Sequence, residues 1–136
     1  MQRVSVIGSA GAGKTAFARE LARRIGAPHL ELDGVFHQAG WRQLDRETFQ
    51  LRVKSYASAE RWVIDGNYSR HGVSDLIWAR AENVLLWAWT RHAHVRSRYE
   101  GYMHDGRWTA QRVVRLRARR EVDRFLDEAM PDDAGD

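Results

Sequence analysis

Short apolar segments alternate along the chain with longer segments in which apolar residues recur every three or four positions. In the first of the longer segments, Phe17, Leu21 and Ile25 are four residues apart. This spacing places them on one face and predicts an amphipathic helix over residues 16–25. Apolar residues at helical spacing predict further helices after Asp45, over residues 76–81, after Thr90 and over residues 119–129.

The short apolar segments predict the strands of a sheet. Strands that alternate with helices are typical of an α/β fold, with helices packed against a parallel sheet. In such folds ligands bind beyond the carboxyl ends of the strands. We predict five strands, over residues 3–7, 29–33, 61–65, 84–89 and 112–116, with loops over residues 34–44 and 69–75.

One segment between the first strand and the first helix matches the phosphate-loop pattern Gly-x-x-x-x-Gly-Lys-[Ser/Thr]. Its glycines let backbone N–H groups surround a phosphate, and the helix adds its positive N-terminal end. Lys14 then reaches the β- and γ-phosphates, and the Thr15 hydroxyl ligates Mg²⁺. ATP and Mg²⁺ are the cofactors that this pattern predicts, the alternative being a glycine-rich turn. The nucleotide-binding residues are Gly8, Ser9, Ala10, Gly11, Ala12, Gly13, Lys14 and Thr15.

Two carboxylates end predicted strands at the same edge of the sheet. Asp33 follows the second strand and is a candidate to hold the metal or to orient an acceptor hydroxyl. The alternative is an Asx-turn. Asp65 ends the third strand and begins the segment Asp65, Gly66, Asn67 and Tyr68, which lines an acceptor pocket or forms an ordinary strand-exit turn.

Other side chains near this edge have weaker patterns. Phe36, His37 and Trp41 are candidates to pack against an acceptor, although isolated aromatic residues more often pack in a core or loop. Arg117 and Arg119 follow the last strand, where they contact an adenine base or simply contribute surface charge.

Charge and composition limit the possible function classes. The 136 residues carry a net charge of +4, and only Lys14 and Lys54 of the 22 basic residues are lysines. Residues 91–124 contain ten arginines, a pattern compatible with nucleic-acid binding but more typical of solvated helix faces. There are no cysteines, no apolar run of membrane-spanning length and no visible secretory signal, so we expect a cytoplasmic protein. We expect one domain over residues 1–130 and a frayed acidic tail over residues 131–136.

The order of these motifs resembles the small adenylate-kinase-like P-loop proteins, often labelled "DNA topology modulation protein" or AAA-family ATP-binding protein. The resemblance rests on residues 3–8, the phosphate loop, Leu32-Asp33, Gly40-Trp41 and Trp62-Val63-Ile64-Asp65-Gly66-Asn67-Tyr68. It covers residues 1–84 and reappears over residues 108–120. It implies a three-layer α/β/α P-loop kinase fold with ATP as donor, and Asp33 and Asp65 on the acceptor side.

The chain departs from this family where a lid is expected. Residues 83–86 pass directly into residues 87–92, which resemble the part after the lid, so several dozen residues are missing. A lid supplies arginines to the transferred phosphate and excludes water. We expect Arg91, with Arg96 and Arg98, to replace those arginines.

The sequence therefore predicts a P-loop phosphotransferase that transfers the γ-phosphate of ATP to a small acceptor, with a nucleotide among the candidates. One alternative is a lid-less nucleotide-binding module that regulates a partner. The other is a nucleic-acid-associated ATPase. Lys14, Asp33 and Arg91 are the predicted catalytic residues, and Thr15 and Asp33 the predicted metal ligands.

Overall fold

The computed structural model of the chain describes residues 1–8, 11–67, 72–87 and 93–129. Strands are β1 (Arg3–Gly8), β2 (His29–Glu31), β3 (His37–Gln38), β4 (Arg42–Gln43), β5 (Trp62–Asp65), β6 (Asn83–Trp87) and β7 (Arg112–Leu116). Helices are α1 (Lys14–Ile25), α2 (Leu32–Phe36), α3 (Arg46–Ala57), α4 (Val73–Trp78), α5 (Ala93–His104) and α6 (Arg119–Glu128). A 3-10 turn covers Ala39–Trp41.

Five of the strands form one parallel sheet in the order β2-β5-β1-β6-β7, and β3 pairs with β4 as an antiparallel hairpin. The central strand is β1, in which Val4 and Val6 are fully buried. Val6 lies opposite Asp65 of β5, so the phosphate loop and the end of β5 lie at the same edge of the sheet. The predicted α/β class and the parallel sheet of five strands are confirmed.

Helices cover both faces of the sheet. Successive strand residues face opposite sides, and the core is divided accordingly. Val6 and Val63 pack with α1 and α6 on one face. Ile7 and Ile64 pack with α2, α3, α4 and α5 on the other. This arrangement is the three-layer architecture that the resemblance implies.

The region after β2 differs from the prediction. We expected a strand to Asp33 and a loop over residues 34–44, but β2 ends at Glu31 and α2 begins at Leu32. Leu32 and Phe36, four residues apart, are both buried in the core, and this burial favours a helical turn over an extended strand. The β3–β4 hairpin follows, and the Leu44 N–H closes it by donating to the Phe36 carbonyl at 2.8 Å.

Two other elements begin at different residues from those predicted. The short helix predicted over residues 76–81 is α4, which begins after Gly72 because Val73 and Ile77 form its buried face. The predicted strand over residues 84–89 is β6, which spans Asn83–Trp87. Residues 88–92 and 130–136, which include Thr90, Arg91 and the predicted acidic tail, lie outside the described residues. Among the described helices, none combines the length and the hydropathy that crossing a membrane requires.

Candidate nucleotide and acceptor site

The phosphate loop connects β1 to α1 and has a backbone that requires glycine. Gly11 has a φ of 74° and Gly13 a φ of 85°, in the left-handed region where other residues are strained. Because α1 begins at Lys14, its first N–H groups face the loop. Ser9 and Ala10, predicted to bind the nucleotide, lie outside the described residues.

A cavity of about 410 Å³ opens beside this loop. It lies at the carboxyl edge of the sheet, where the strand arrangement predicts a ligand. It brings together the loop, the first turn of α2 and the exit of β5, as the sequence predicts. The residues around it are Gly11, Gly13, Lys14, Thr15, Ala16, Asp33, Gly66 and Asn67.

The carboxylate of Asp65 lies under the phosphate loop. The Thr15 hydroxyl donates to Asp65 Oδ1 at 3.1 Å, and His29 Nε2 lies 2.5 Å from Asp65 Oδ2. His29 is opposite Val63 in the β2–β5 register, two residues before Asp65, so both side chains are on the same face. Asp65 is only 3% exposed. The prediction placed Asp65 in the acceptor pocket, but both of its oxygens are engaged by Thr15 and His29.

Lys14 is half-buried beside two carboxylates. Burial lowers the pKa of its ammonium below the ordinary value of 10.5, and Asp65 and Asp33 oppose this shift. The cavity therefore contains a cation that is partly removed from solvent. Such an ammonium group is suited to bind phosphate oxygens.

The side chains of Thr15, Asp65 and Asp33 offer only hydroxyl and carboxylate oxygens at this edge. Oxygen ligands of this kind are those that Mg²⁺ prefers, usually together with water and substrate phosphates. Among the described residues there is no cluster of three or more histidine or carboxylate side chains that could hold a metal by itself. The donor set fits a Mg²⁺ ion that is held jointly with a nucleotide.

The exit of β5 is tied to the phosphate loop through Asn67. Asn67 Nδ2 donates to the Gly8 carbonyl, and Asn67 Oδ1 accepts from the Gly8 N–H at 3.1 Å. Oδ1 also accepts from the Tyr99 hydroxyl at 2.7 Å. We predicted that Asn67 binds an acceptor, but its amide is engaged with Gly8 and Tyr99. Tyr68, also predicted there, lies outside the described residues.

Gly66 lies at a close approach between β5 and α2. Its φ is 136°, and a Cβ added to it would be 2.8 Å from the Leu32 Cβ. A larger residue would push against the start of α2, which carries Asp33 in its first turn. Gly66 therefore sets the distance between the end of β5 and the first turn of α2, which both line the cavity.

The aromatic residues after Asp33 have different surroundings. Phe36 is buried, with its ring centroid 5.1 Å from that of Phe49, so its position corresponds to the packing alternative. Trp41 is 86% exposed at the turn of the β3–β4 hairpin, with the His37 ring 6.0 Å away. Because Phe36 is buried, the structure does not support its contact with an acceptor. Contact of Trp41 or His37 with an acceptor stays a prediction.

A second cavity, of about 280 Å³, adjoins the phosphate loop on the side of β7 and α6. Its surface is mostly apolar, as a purine base requires. Gly11 lines both cavities, so a bound molecule can extend from one to the other along the loop. The residues around it are Gly11, Ala12, Leu116, Arg117, Ala118, Arg119 and Val122, which include the two arginines predicted beside adenine.

Sequence reasoning assigned no site role to His29 or to Tyr99. His29 precedes Asp65 by 36 residues, and only the register of β2 against β5 reveals their contact. The contact of Tyr99 with Asn67 depends on how α5 packs on the sheet. No local pattern signals either contact.

Comparison with known proteins supports the fold. No family model matches the chain. A shikimate kinase of Ruegeria pomeroyi is 32% identical over an alignment of 120 residues, and the match covers 68% of this chain and 58% of that protein. Among solved structures, a gluconokinase from Sinorhizobium meliloti covers 95% of this chain and 89% of its own, with 16% identity and a TM-score of 0.58. A shikimate kinase from Aquifex aeolicus covers 93% and 92%, with 12% identity and a TM-score of 0.57.

The chain therefore has the fold of the small P-loop kinases, and the predicted fold class is confirmed. The chain spans 58% of the length of the shikimate kinase that it matches. The alignment is 120 residues long, whereas only 68% of this 136-residue chain takes part in it. That kinase therefore has residues in the aligned region that have no counterpart in this chain. Neither the "DNA topology modulation" label nor the adenylate-kinase likeness is supported by these relatives.

Proposed function

We propose that this protein binds MgATP and transfers its γ-phosphate to a hydroxyl group of a small-molecule acceptor. The proposal rests on the hydrogen bond between Thr15 and Asp65, which connects the phosphate loop to a buried carboxylate. Lys14 and Asp33 line the cavity directly above it. A loop that only formed a turn would need neither the buried carboxylate nor the half-buried ammonium.

The nucleotide would extend along both cavities. The adenine would occupy the apolar cavity beside Arg117 and Arg119, and the phosphates would follow the loop to Lys14. Thr15 would ligate Mg²⁺ while its hydrogen bond to Asp65 holds it in place, and Asp33 would lie in the same cavity. The metal, when bound, neutralises charge on the β- and γ-phosphates. Thr15 can ligate it through its oxygen while still donating its proton to Asp65.

Asp33 is placed to act on the acceptor. The acceptor hydroxyl oxygen would form a bond to the γ-phosphorus while the bond to the oxygen bridging the β- and γ-phosphates breaks, releasing ADP. Asp33 would take the proton from the hydroxyl, the role of the positioned carboxylate in phosphoryl transfer. The relatives named for shikimate and gluconate make small hydroxylated acids the first acceptors to test, and nucleotides remain candidates.

Transfer also needs positive charge near the γ-phosphate in its transition state. We propose that Arg91 supplies it, as the sequence predicts, in place of lid arginines. The alternative is a module that binds nucleotide and does not transfer phosphate. This second candidate is supported by the residues that the shikimate kinase has within the aligned region and that this chain lacks.

The test is ADP release from MgATP in the presence of shikimate, gluconate or nucleoside monophosphates, followed by mass identification of the phosphorylated product. Multiple turnovers that fall at least about a hundredfold in Asp33→Asn, the contribution typical of a general base, support the transferase. MgATP binding without turnover supports the regulatory module. ATPase activity that needs nucleic acid and decreases steeply with salt supports the nucleic-acid-associated alternative.

A further inference from the structure

We propose that Tyr99 is a positioning residue for the phosphate loop, acting through the Asn67 amide, so that the position of α5 controls nucleotide binding. This inference rests on the proposed function. The contacts that carry it are a continuous chain of hydrogen bonds from the Tyr99 hydroxyl to the backbone of Gly8. Gly8 is the last residue of β1 and the first of the loop.

The Asn67 amide continues the pairing of β5 with β1 beyond the end of the strand. The Gly66 N–H still donates to the Val6 carbonyl at 3.2 Å. At the next step the Asn67 side chain, instead of its backbone, pairs with both the N–H and the carbonyl of Gly8. Because these two side-chain hydrogen bonds take the place of backbone pairing between β5 and β1, they fix the point at which the loop leaves β1.

The Tyr99 hydroxyl reinforces the orientation of this amide that the two Gly8 contacts require. Asn67 Oδ1 accepts from both the Tyr99 hydroxyl and the Gly8 N–H, and rotating the amide would place Nδ2 against the Gly8 N–H. Tyr99 is 7% exposed, and burial raises the pKa of its hydroxyl. It therefore remains a protonated donor throughout the physiological pH range.

Tyr99 belongs to α5, whose position is fixed by other contacts. Its ring stacks on Trp108, with centroids 6.4 Å apart. The neighbouring Glu100 accepts a hydrogen bond from Arg115 of β7 at 3.1 Å. A shift of α5 would consequently move the Tyr99 hydroxyl relative to Asn67, and the loop would lose its fixed exit from β1.

Tyr99→Phe removes the hydroxyl and keeps the ring. Tyr102→Phe is the matched control, because Tyr102 is on the same helix and in the same aromatic cluster, 5.8 Å from Trp108. Two quantities are measured: hydrogen exchange of the Gly8 amide in the nucleotide-free protein, and the Kd for MgATP. We expect Tyr99→Phe to accelerate exchange and to weaken binding, each by about fivefold, the factor typical of one neutral hydrogen bond. Tyr102→Phe should change neither by more than about twofold.

A mutant cycle tests whether Tyr99 acts through Asn67. In an Asn67→Ala background, Tyr99→Phe should have no further effect on either quantity, since coupled residues are not additive. Equal behaviour of Tyr99→Phe and Tyr102→Phe would overturn the proposal, as would additive effects in the cycle. If Asn67→Ala does not fold, the comparison of Tyr99→Phe with Tyr102→Phe still tests the proposal. If the wild-type protein binds no MgATP, the proposed function fails, while Gly8 exchange still tests the contact.

Discussion

The side chains of Thr15 and Asp65, 50 residues apart in sequence, meet in a hydrogen bond of 3.1 Å at the carboxyl edge of the sheet. Thr15 is the last residue of the phosphate-loop pattern, and Asp65 is the last residue of the neighbouring strand. This contact brings a buried negative charge to the base of the loop. It is the relationship on which the proposed Mg²⁺ binding depends.

Asp65→Asn should impair metal use more than folding. The amide has nearly the same size, but it lacks the charge that attracts Mg²⁺, and one of its two polar atoms can no longer accept a hydrogen bond. We expect the Mg²⁺ concentration for half-maximal ATP binding to rise at least about tenfold, equivalent to ~1.4 kcal/mol. The measurement is a Mg²⁺ titration at fixed ATP. Asp75→Asn, on the exposed surface of α4, is the control and should leave the midpoint unchanged.

His29 should stabilise the protein by satisfying the second oxygen of Asp65. His29→Ala leaves that buried oxygen without its contact, so we expect a loss of about 1–3 kcal/mol in the free energy of unfolding. His29→Gln retains a hydrogen-bond donor and should recover part of the loss. Urea unfolding measures both variants. Equal stability of His29→Ala and the wild type would show that the contact contributes nothing.

Gly66→Ala should disturb the cavity through α2. The added Cβ would be 2.8 Å from Leu32, and the φ of 136° is strained for alanine, so we expect a destabilisation of about 1–3 kcal/mol. Turnover should decrease as well, because Asp33 follows Leu32. Gly34→Ala is the control, since a Cβ there meets no atom within 4 Å. In a helix it should be neutral or stabilise by up to ~1 kcal/mol. Similar stability of the two variants would contradict this account of Gly66.

Lys14→Met should weaken nucleotide binding by at least about tenfold and yet increase the stability of the nucleotide-free protein at neutral pH. Because the pKa of Lys14 is lower in the folded protein, its charge opposes folding below that pKa, and this cost disappears as the pH rises toward 10.5. The stability advantage of Lys14→Met should therefore shrink between pH 7 and pH 10. Urea unfolding at several pH values measures it.

Lys54→Met, on the exposed face of α3, is the control for this prediction. It should remain within about 0.5 kcal/mol of the wild type at neutral pH, as is usual for surface substitutions. A Lys14→Met protein less stable than the wild type at pH 7 would indicate that the ammonium is stabilised by its carboxylate neighbours.

Local patterns were sufficient to predict much of the fold. The phosphate loop is a continuous segment with a fixed order of residues, so the sequence located Gly11 and Gly13 between β1 and α1 and Lys14 at the start of α1, where the structure has them. The strand order was not predicted, because it depends on which strands pair. The boundary at Leu32 was also wrong, since its helical conformation depends on burial against the core.

The site was predicted less completely than the fold. Asp33 lies beside the loop as expected, although it belongs to the first turn of α2 and does not end a strand. The roles of Asp65 and Asn67 were assigned to an acceptor, whereas their side chains contact Thr15 and Gly8. Those contacts depend on the β1–β5 register and on side-chain direction, neither of which sequence periodicity specifies.

The central claim is tested most directly by calorimetric titration of MgATP into the wild-type protein and into Lys14→Ala. We predict saturable binding at one site in the wild type and a decrease of at least about tenfold in affinity in Lys14→Ala, as expected on losing a charge-assisted contact. Circular dichroism should verify that both proteins are folded. A folded wild-type protein that binds no MgATP, or a Lys14→Ala variant that binds it equally well, would contradict the account.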